Sequence, residues 1–418
     1  MGNVRIIYLM ILFALSSCGG GTDCGGTVAL LGSITAPTCN GNKSGGDAVQ
    51  TATGYFKDNS TEGITVVSGS TTSITGADGS FIYEVGKPIT FSVGKIVLGS
   101  IDFGKSIVTP MDLVAEGTIS SNNVTNIVRF LMMLDEDGDP GNGIKFSQAA
   151  KVIVNDAAQI DFSIDSGAFA SNLDSLASRV KSADGGTHNI ATAAAAESHL
   201  SNTVRCTWSG AFKGAYSGIS TSRRYTDTGV GYFIIDAKTG IGRGAAVGTA
   251  TDSQINASAN YSTLVIGTES MALNNQAAIV IGTAGAGVTF EGRLNTPDII
   301  NGTWTSTANP LDTKNGTFSV SRVGGLSSAK YRFTGFSSDN MIITIDVTGS
   351  AANVISGNLV NPATGGVEAI SGTLSGAALA AQSASGVAIT ATMNLLDGTV
   401  SNGLKGAATF NATGCTLI

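Results

Sequence analysis

The 418-residue chain is only 13% charged, about half the usual quarter, and its 56 glycines make roughly 13% against a typical ~7%, with only 7 prolines. Twenty-three Lys and Arg against 30 Asp and Glu leave a net charge of −7, which argues against nucleic-acid binding, whose footprint is a basic patch or stripe. The 42% apolar content is too high for intrinsic disorder, and no apolar run is long enough for a transmembrane helix. At ~100–200 residues per domain the length predicts two or three domains.

Residues 1–17 read as a signal peptide. Arg5 is the only charge ahead of an apolar run over residues 6–15 (IIYLMILFAL). As a helix this run reaches about 15 Å, half of a ~30 Å hydrocarbon core, so it is a signal-peptide core rather than an anchor. It ends in Leu15-Ser16-Ser17-Cys18, followed by three glycines, and that tetrapeptide resembles the lipobox of bacterial lipoproteins. The resemblance implies cleavage before Cys18 and lipidation of its sulfur and new amine. Two or more acyl chains exceed the single chain that binds only marginally, so the anchoring is stable. Gly19 is not the Asp that the family associates with inner-membrane retention, so the resemblance implies the outer membrane, with the protein facing the periplasm or the surface. The expected partners are the membrane, through this anchor, and an unidentified extracellular or envelope ligand; no nucleic acid is expected.

With Cys18 lipidated, Cys24, Cys39, Cys206 and Cys415 remain, and an exported protein can oxidise them in any of three pairings. Proximity favours Cys24 with Cys39, which leaves Cys206 with Cys415 bracketing the C-terminal half. The absence of a Cys-x-x-Cys motif leaves thioredoxin-like redox chemistry unsupported. Residues 18–46 are rich in Gly, Ser and Thr, the composition of a flexible tether.

Residues 47–115 read as a small antiparallel β-sandwich. Segments 64–67, 81–85, 89–93 and 96–98 are rich in β-branched and aromatic residues, and Asp78-Gly79 is a hairpin signal. The stretch TGADGSFIYEVG resembles the turn-strand portion of transthyretin-like and carboxypeptidase-regulatory-like modules, which are usually non-catalytic. From 116 to 205 the period changes to helical. Val124, Ile127, Val128, Leu131 and Met132 form one stripe, with Ser121 or Asn122 as cap. Phe169, Leu173, Leu176 and Val180 form a second, and residues 189–204 are Ala-rich and helix-prone. The run from Asp78 through VTPMDL and NIVRFLMMLDEDGDPGNGI to AAAAESHL resembles an uncharacterised module of β-rich proteobacterial surface lipoproteins, a family that brings no known activity.

Residues 206–418 predict a large antiparallel β-barrel or sandwich, so the fold class expected is mainly β. Met341, Ile343, Ile345 and Val347 alternate with Ile342, Thr344, Asp346 and Thr348. Val387, Ile389, Ala391, Met393 and Leu395 alternate in the same way with polar and small residues, and Val288, Phe290 and Leu294 with Thr289, Glu291 and Arg293. One apolar and one polar face imply a sheet buried on a single side. Asn-Gly and Asp-Gly pairs supply the turns, and a degenerate repeat (INGTW, ISGNL, ISGTL) suggests two sub-halves, 207–323 and 329–415. A Cys206–Cys415 bridge would bring the first and last strands together and close a barrel. A 6% aromatic content without girdles argues against a porin.

The strongest candidate site is the acidic loop DEDGDPGNGI. Asp135, Asp137 and Asp139 match positions 1, 3 and 5 of calcium loops, with Asn142 as a further oxygen ligand. The acids follow a predicted helix whose C-terminus already carries partial negative charge, and a bound cation would offset that. Pro140 stands where an EF-hand needs Gly and Phe146 where it needs Glu, so the loop is not an EF-hand, and calcium is the one cofactor suggested. No catalytic residue stands out. His188 and His199 have no ligand spacing and read as solvent-facing or capping, and no Gly-x-Ser-x-Gly elbow exists. Trp208 and Trp304 suit a barrel core or the floor of a sugar groove. The function expected is a non-enzymatic, lipid-anchored binding or adhesion protein. The alternatives are a carrier holding an apolar ligand against Phe290, Ile343 and Ile389, and a polysaccharide-acting enzyme.

Overall fold

The computed structural model describes residues 49–265, 267–283, 287–296, 298–323, 331–348, 354–395 and 397–416. The signal peptide, the tether, Cys18, Cys24 and Cys39 lie outside the described residues.

The protein is mainly β. Its N-terminal part contains strands β1 (Thr51–Phe56), β2 (Thr61–Glu62), β3 (Thr65–Ser68), β4 (Thr71–Ile74), β5 (Ser80–Glu84), β6 (Ile89–Val93), β7 (Ile96–Ile101) and β8 (Ile107–Val108). Seven of them form an antiparallel sheet in the order β4-β3-β6-β7 and a smaller one, β5-β1-β8, in which β1 and β8 run parallel, while β2 stands apart. Phe91 of the first sheet meets Phe56 and Phe81 of the second at ring-centroid distances of 5.5 and 5.3 Å. The Asp78-Gly79 turn does not make the expected hairpin, because it carries the chain from one sheet to the other. Asp78 Oδ1 accepts the Ser80 N–H at 2.9 Å, and Gly79 sits at φ +79° with the Phe56 carbonyl where a Cβ would lie.

Four helices follow: α1 (Asn122–Leu134), α2 (Gln148–Asn155), α3 (Ser166–Asp184) and α4 (Ala193–Trp208), with β9 (Ile144–Lys145) between the first two. On α3 the stripe read from periodicity, Phe169 to Val180, is the buried face. Helix α1 is instead buried nearly all round, with Val124 and Val128 in one core, Ile127, Phe130 and Leu131 in another, and Met132 of the expected stripe half-buried. Ser121 occupies the N-cap of α1, but its hydroxyl turns back to accept the Thr118 N–H at 3.0 Å. Helix α2 was not foreseen, because its eight residues bury only Ala150 and Val154. Arg129, buried on α1, donates to the Ala191 and Ser166 carbonyls at 2.7 and 2.9 Å and fastens α3 and the approach to α4 onto α1.

The remaining strands build two barrels. The first comprises β10 (Gly210–Ser220), β11 (Tyr225–Ile235), β12 (Gly242–Asp252), β13 (Ala257–Val265), β14 (Ala278–Thr283), β15 (Val288–Thr296), β16 (Ile299–Ser306) and β17 (Lys314–Arg322). Its ring runs through β11-β10-β17-β16-β15-β14 to β12, which pairs back to β11, while β13 pairs with β12 alone. The second is a closed antiparallel barrel of β18 (Tyr331–Ser337), β19 (Ile342–Thr348), β20 (Val354–Val360), β21 (Val367–Ser375), β22 (Ala378–Ser383), β23 (Ala388–Asn394), β24 (Thr399–Lys405) and β25 (Ala408–Thr416). Both interiors are packed, the first by Phe212, Phe233, Phe290 and Phe318, the second by Phe333, Ile343, Ile355 and Ile389. On β23 the alternation is complete, with Ile389, Ala391 and Met393 buried and their neighbours exposed.

On β19 the single-sided expectation fails. Ile343, Ile345 and Val347 face the second barrel's core, yet Ile342, Thr344 and Asp346 are buried as well. The outer face of β18–β20 lies against the first barrel, where Ile342 and Val360 pack on Ala211, Tyr232 and Ile234. Asp346 takes Arg332 in a bidentate pair at 2.8 and 2.9 Å. Beside it Arg322 pairs with Asp298 at 3.3 Å, donates to the Ser209 and Thr207 carbonyls and covers the Phe212 ring; burial and the nearby Arg332 push it down to about 10.

The Cys206–Cys415 disulfide forms, with Cα atoms 5.7 Å apart, but it does not join the first and last strands of one barrel. Cys206 lies on α4 and Cys415 on β25, so the bridge fastens the helical section to the second barrel across 209 residues. Replacing both cysteines with Ser is expected to destabilise the second barrel by roughly 2–4 kcal/mol, read as a lower guanidinium midpoint. An unchanged midpoint would show that barrel docking alone holds the two parts together.

Candidate functional site

The acidic loop is closed like a hairpin. Asp135 bridges Phe146, the Glu136 N–H donates to the Lys145 carbonyl at 2.8 Å, and β9 pairs in parallel with β2. Asp135 is 1% exposed; its Oδ1 accepts the Lys145 N–H at 3.0 Å, while Oδ2 is buried without a hydrogen-bond partner. Burial, together with Asp137 and Asp139, pushes its carboxyl up to about 6. Asp137 is exposed and accepts the Asn142 side-chain amide at 2.9 Å and the Asp139 N–H at 2.9 Å. Asp135, Asp137 and Asn142 thus border one pocket of about 320 Å³, with Ser60 and Glu62 on its far wall. Asp139 is not among its lining residues; it caps the short turn Pro140–Asn142 by accepting the Gly141 N–H at 3.1 Å. Among the described residues no three His, Cys, Asp or Glu side chains form a metal-holding group.

Both histidines are internal rather than solvent-facing. His188 Nδ1 lies 2.8 Å from the Met133 carbonyl, capping the end of α1, and its Nε2 lies 2.8 Å from Asp184. His199 Nε2 lies 3.3 Å from Oδ1 of Asp58, a fully buried carboxylate on the turn after β1. Burial pulls His199 down, but Asp58, with Asp135 farther off, more than offsets this and holds it above its ordinary value. A histidine whose folded-state pKa is raised contributes stability that is complete below its unfolded value of about 6.5 and fades as pH rises through the folded value. The melting temperature is therefore expected to fall as pH rises above about 6.5, and His199→Gln to flatten that slope; a profile unchanged by the substitution would count against the pair.

The mouth of the first barrel holds a second polar group that no sequence motif announces. Asp227 is in phase with Phe233 and Ile235 on β11, and Lys314 with Phe318 and Val320 on β17, so both belong to inward-facing rows. There Lys314 Nζ meets Asp227 Oδ2 at 2.8 Å and lies over the Tyr225 ring. Tyr216 Oη donates to Tyr261 Oη at 2.7 Å. Burial, Tyr216 and Asp227 together push the Tyr261 hydroxyl far up, so it stays protonated. Tyr216 packs edge-on against Phe290 and Trp304, and Trp304 donates its indole N–H to the Ser217 carbonyl at 3.0 Å. These rings cross the interior because Gly248 leaves room for Tyr216 and Gly218 for Trp304. Tyr216, Asp227, Tyr261, Phe290, Trp304 and Lys314 line a pocket of about 200 Å³ there. The other tryptophan, Trp208, packs at the end of α4 in the first barrel's core cluster. A charged residue in phase with an apolar row was the available signal, but the four polar groups come from β10, β11, β13 and β17, and only the barrel brings them together.

Neither family models nor curated proteins give a match to this chain.

Proposed function

We propose that the chain is a lipid-anchored protein of the bacterial outer membrane that binds, without chemical conversion, a small hydroxylated ligand such as a sugar ring at the mouth of its first barrel. The observation that carries this reading is the pocket over Phe290 and Trp304, where aromatic walls meet the Tyr261 hydroxyl and the Asp227–Lys314 pair. Aromatic surface suits the C–H face of a sugar, and a carboxylate, an ammonium and a phenol at its rim suit the hydroxyls. The membrane anchor rests on the Leu15-Ser16-Ser17-Cys18 tetrapeptide. The second barrel supports a water-facing body, because its inside is apolar while β21–β23 turn Thr, Ser, Gln and Asn outward, the reverse of a membrane barrel. A carrier of a large apolar ligand is less well supported, since Phe290 lies in one core and Ile343 and Ile389 in the other. A polysaccharide-cleaving enzyme would need two facing carboxylates; the barrel mouth is lined by one, Asp227.

Cys18→Ser is expected to shift the protein from the membrane fraction to the soluble fraction, and unchanged fractionation would sink the anchor. The chain has only two tryptophans, so a fluorescence titration of a Trp208→Phe variant against a panel of saccharides reports on Trp304. A saturable change that Tyr261→Phe weakens about tenfold or more, with the fold intact, is the expected result, in line with the loss of a hydrogen-bonding partner in a polar site. A flat response across neutral and acidic sugars would overturn the ligand class.

A further inference from the structure

We propose that Asp135 and Asp137 hold a calcium ion in the pocket between the acidic loop and the turn after β1. The loop concentrates Asp135, Glu136, Asp137 and Asp139 just beyond the C-terminus of α1, where the helix adds partial negative charge of its own. Among the residues that line the pocket Lys145, 3.6 Å from Glu136, is the one cation, against the four carboxylates of Glu62, Asp135, Glu136 and Asp137.

Asp135 is the decisive residue. Its Oδ2 is buried without a hydrogen-bond donor, and the side chain borders the same pocket as Asp137. Carboxylate oxygens withdrawn from water normally find a partner, and one without a donor asks for a cation. A calcium ion placed there would meet carboxylate oxygens from two residues. The Ser60 hydroxyl, the Asn142 side chain and, at longer reach, Glu62 border the pocket and supply further oxygens. Calcium takes six to eight oxygens in flexible geometry, whereas magnesium demands a tight octahedron, so a roomy pocket of about 320 Å³ favours calcium. Two carboxylates are a low charge count, which places the affinity near the ~10⁻⁴–10⁻³ M of extracellular calcium modules. The ion would fasten the acidic loop to the β1–β2 turn, where Asn59 already donates its side-chain amide to the Pro140 and Gly141 carbonyls at 3.0 and 2.9 Å.

The test is the melting temperature of the purified protein, stripped with chelator and then titrated with calcium chloride to about 10 mM, beside sodium chloride at matched ionic strength. The expected result is a saturable rise of a few degrees with calcium and a smaller one with magnesium. Asp137→Asn, an exposed position that should leave the fold intact, is expected to abolish the rise. Three results would overturn the proposal: no rise in the parent protein, an equal rise in Asp137→Asn, or a rise that sodium chloride reproduces.

Discussion

Burying the outer face of β18–β20 is the constraint from which the rest of the architecture follows. A barrel that is apolar inside normally leaves its outside to water, but here Ile342 and Val360 stand on the outside and have to be covered. The first barrel covers them with Ala211, Tyr232 and Ile234, and the price is two arginines removed from water. Arg332 is tolerable because Asp346 meets it with both oxygens, and Arg322 because backbone carbonyls, Asp298 and the Phe212 ring surround it. Buried charges of this kind add little net stability, but they penalise any misaligned docking heavily, since a shift would leave one unpaired. With that register fixed, Cys415 on β25 meets Cys206 on α4, and α4 in turn lies against α1 and the first barrel.

Much of this was legible in the sequence wherever one physical cause acted alone. On β23 the interior is apolar and the exterior is wet, so the alternation of Ile389, Ala391 and Met393 read directly. The α3 stripe read equally well because that helix buries one face, whereas α1 is buried nearly all round between two cores and its stripe showed only part of what is covered. The reading failed where two causes overlapped. On β19, Thr344 and Asp346 looked solvent-facing because they are polar, although they are buried through pairing and barrel contact. The first barrel was harder still, since β12 reads GRGAAVGTATD and carries almost no apolar pattern; its inward positions are small so that aromatic rings from other strands can occupy the centre.

The candidate sites divide in the same way. The acidic loop was visible because its residues are neighbours in sequence, and the fold brings three of the four expected ligands to one pocket while Asp139 serves as a turn cap. The barrel mouth was not visible, because Tyr216, Asp227, Tyr261 and Lys314 are spread over about a hundred residues and become a group only through strand register. The excess of glycine thus has a partly steric origin: without small residues such as Gly218 and Gly248, Trp304 and Tyr216 could not reach the centre where the pocket forms.

One detail of the first barrel bears on how the molecule avoids pairing with other chains. Every strand of the second barrel has two neighbours, whereas β13 pairs with β12 alone and presents the flank of a nine-residue strand. Such a flank is a template on which a strand from another chain can add, the usual first step toward aggregation. Ser258, Asn260 and Ser262 stand exposed along it in place of an apolar, β-branched run, so a strand added there would gain backbone bonds with little side-chain burial. Resistance to edge-to-edge pairing at this flank therefore turns on the polarity of these few side chains, although none of them belongs to a core.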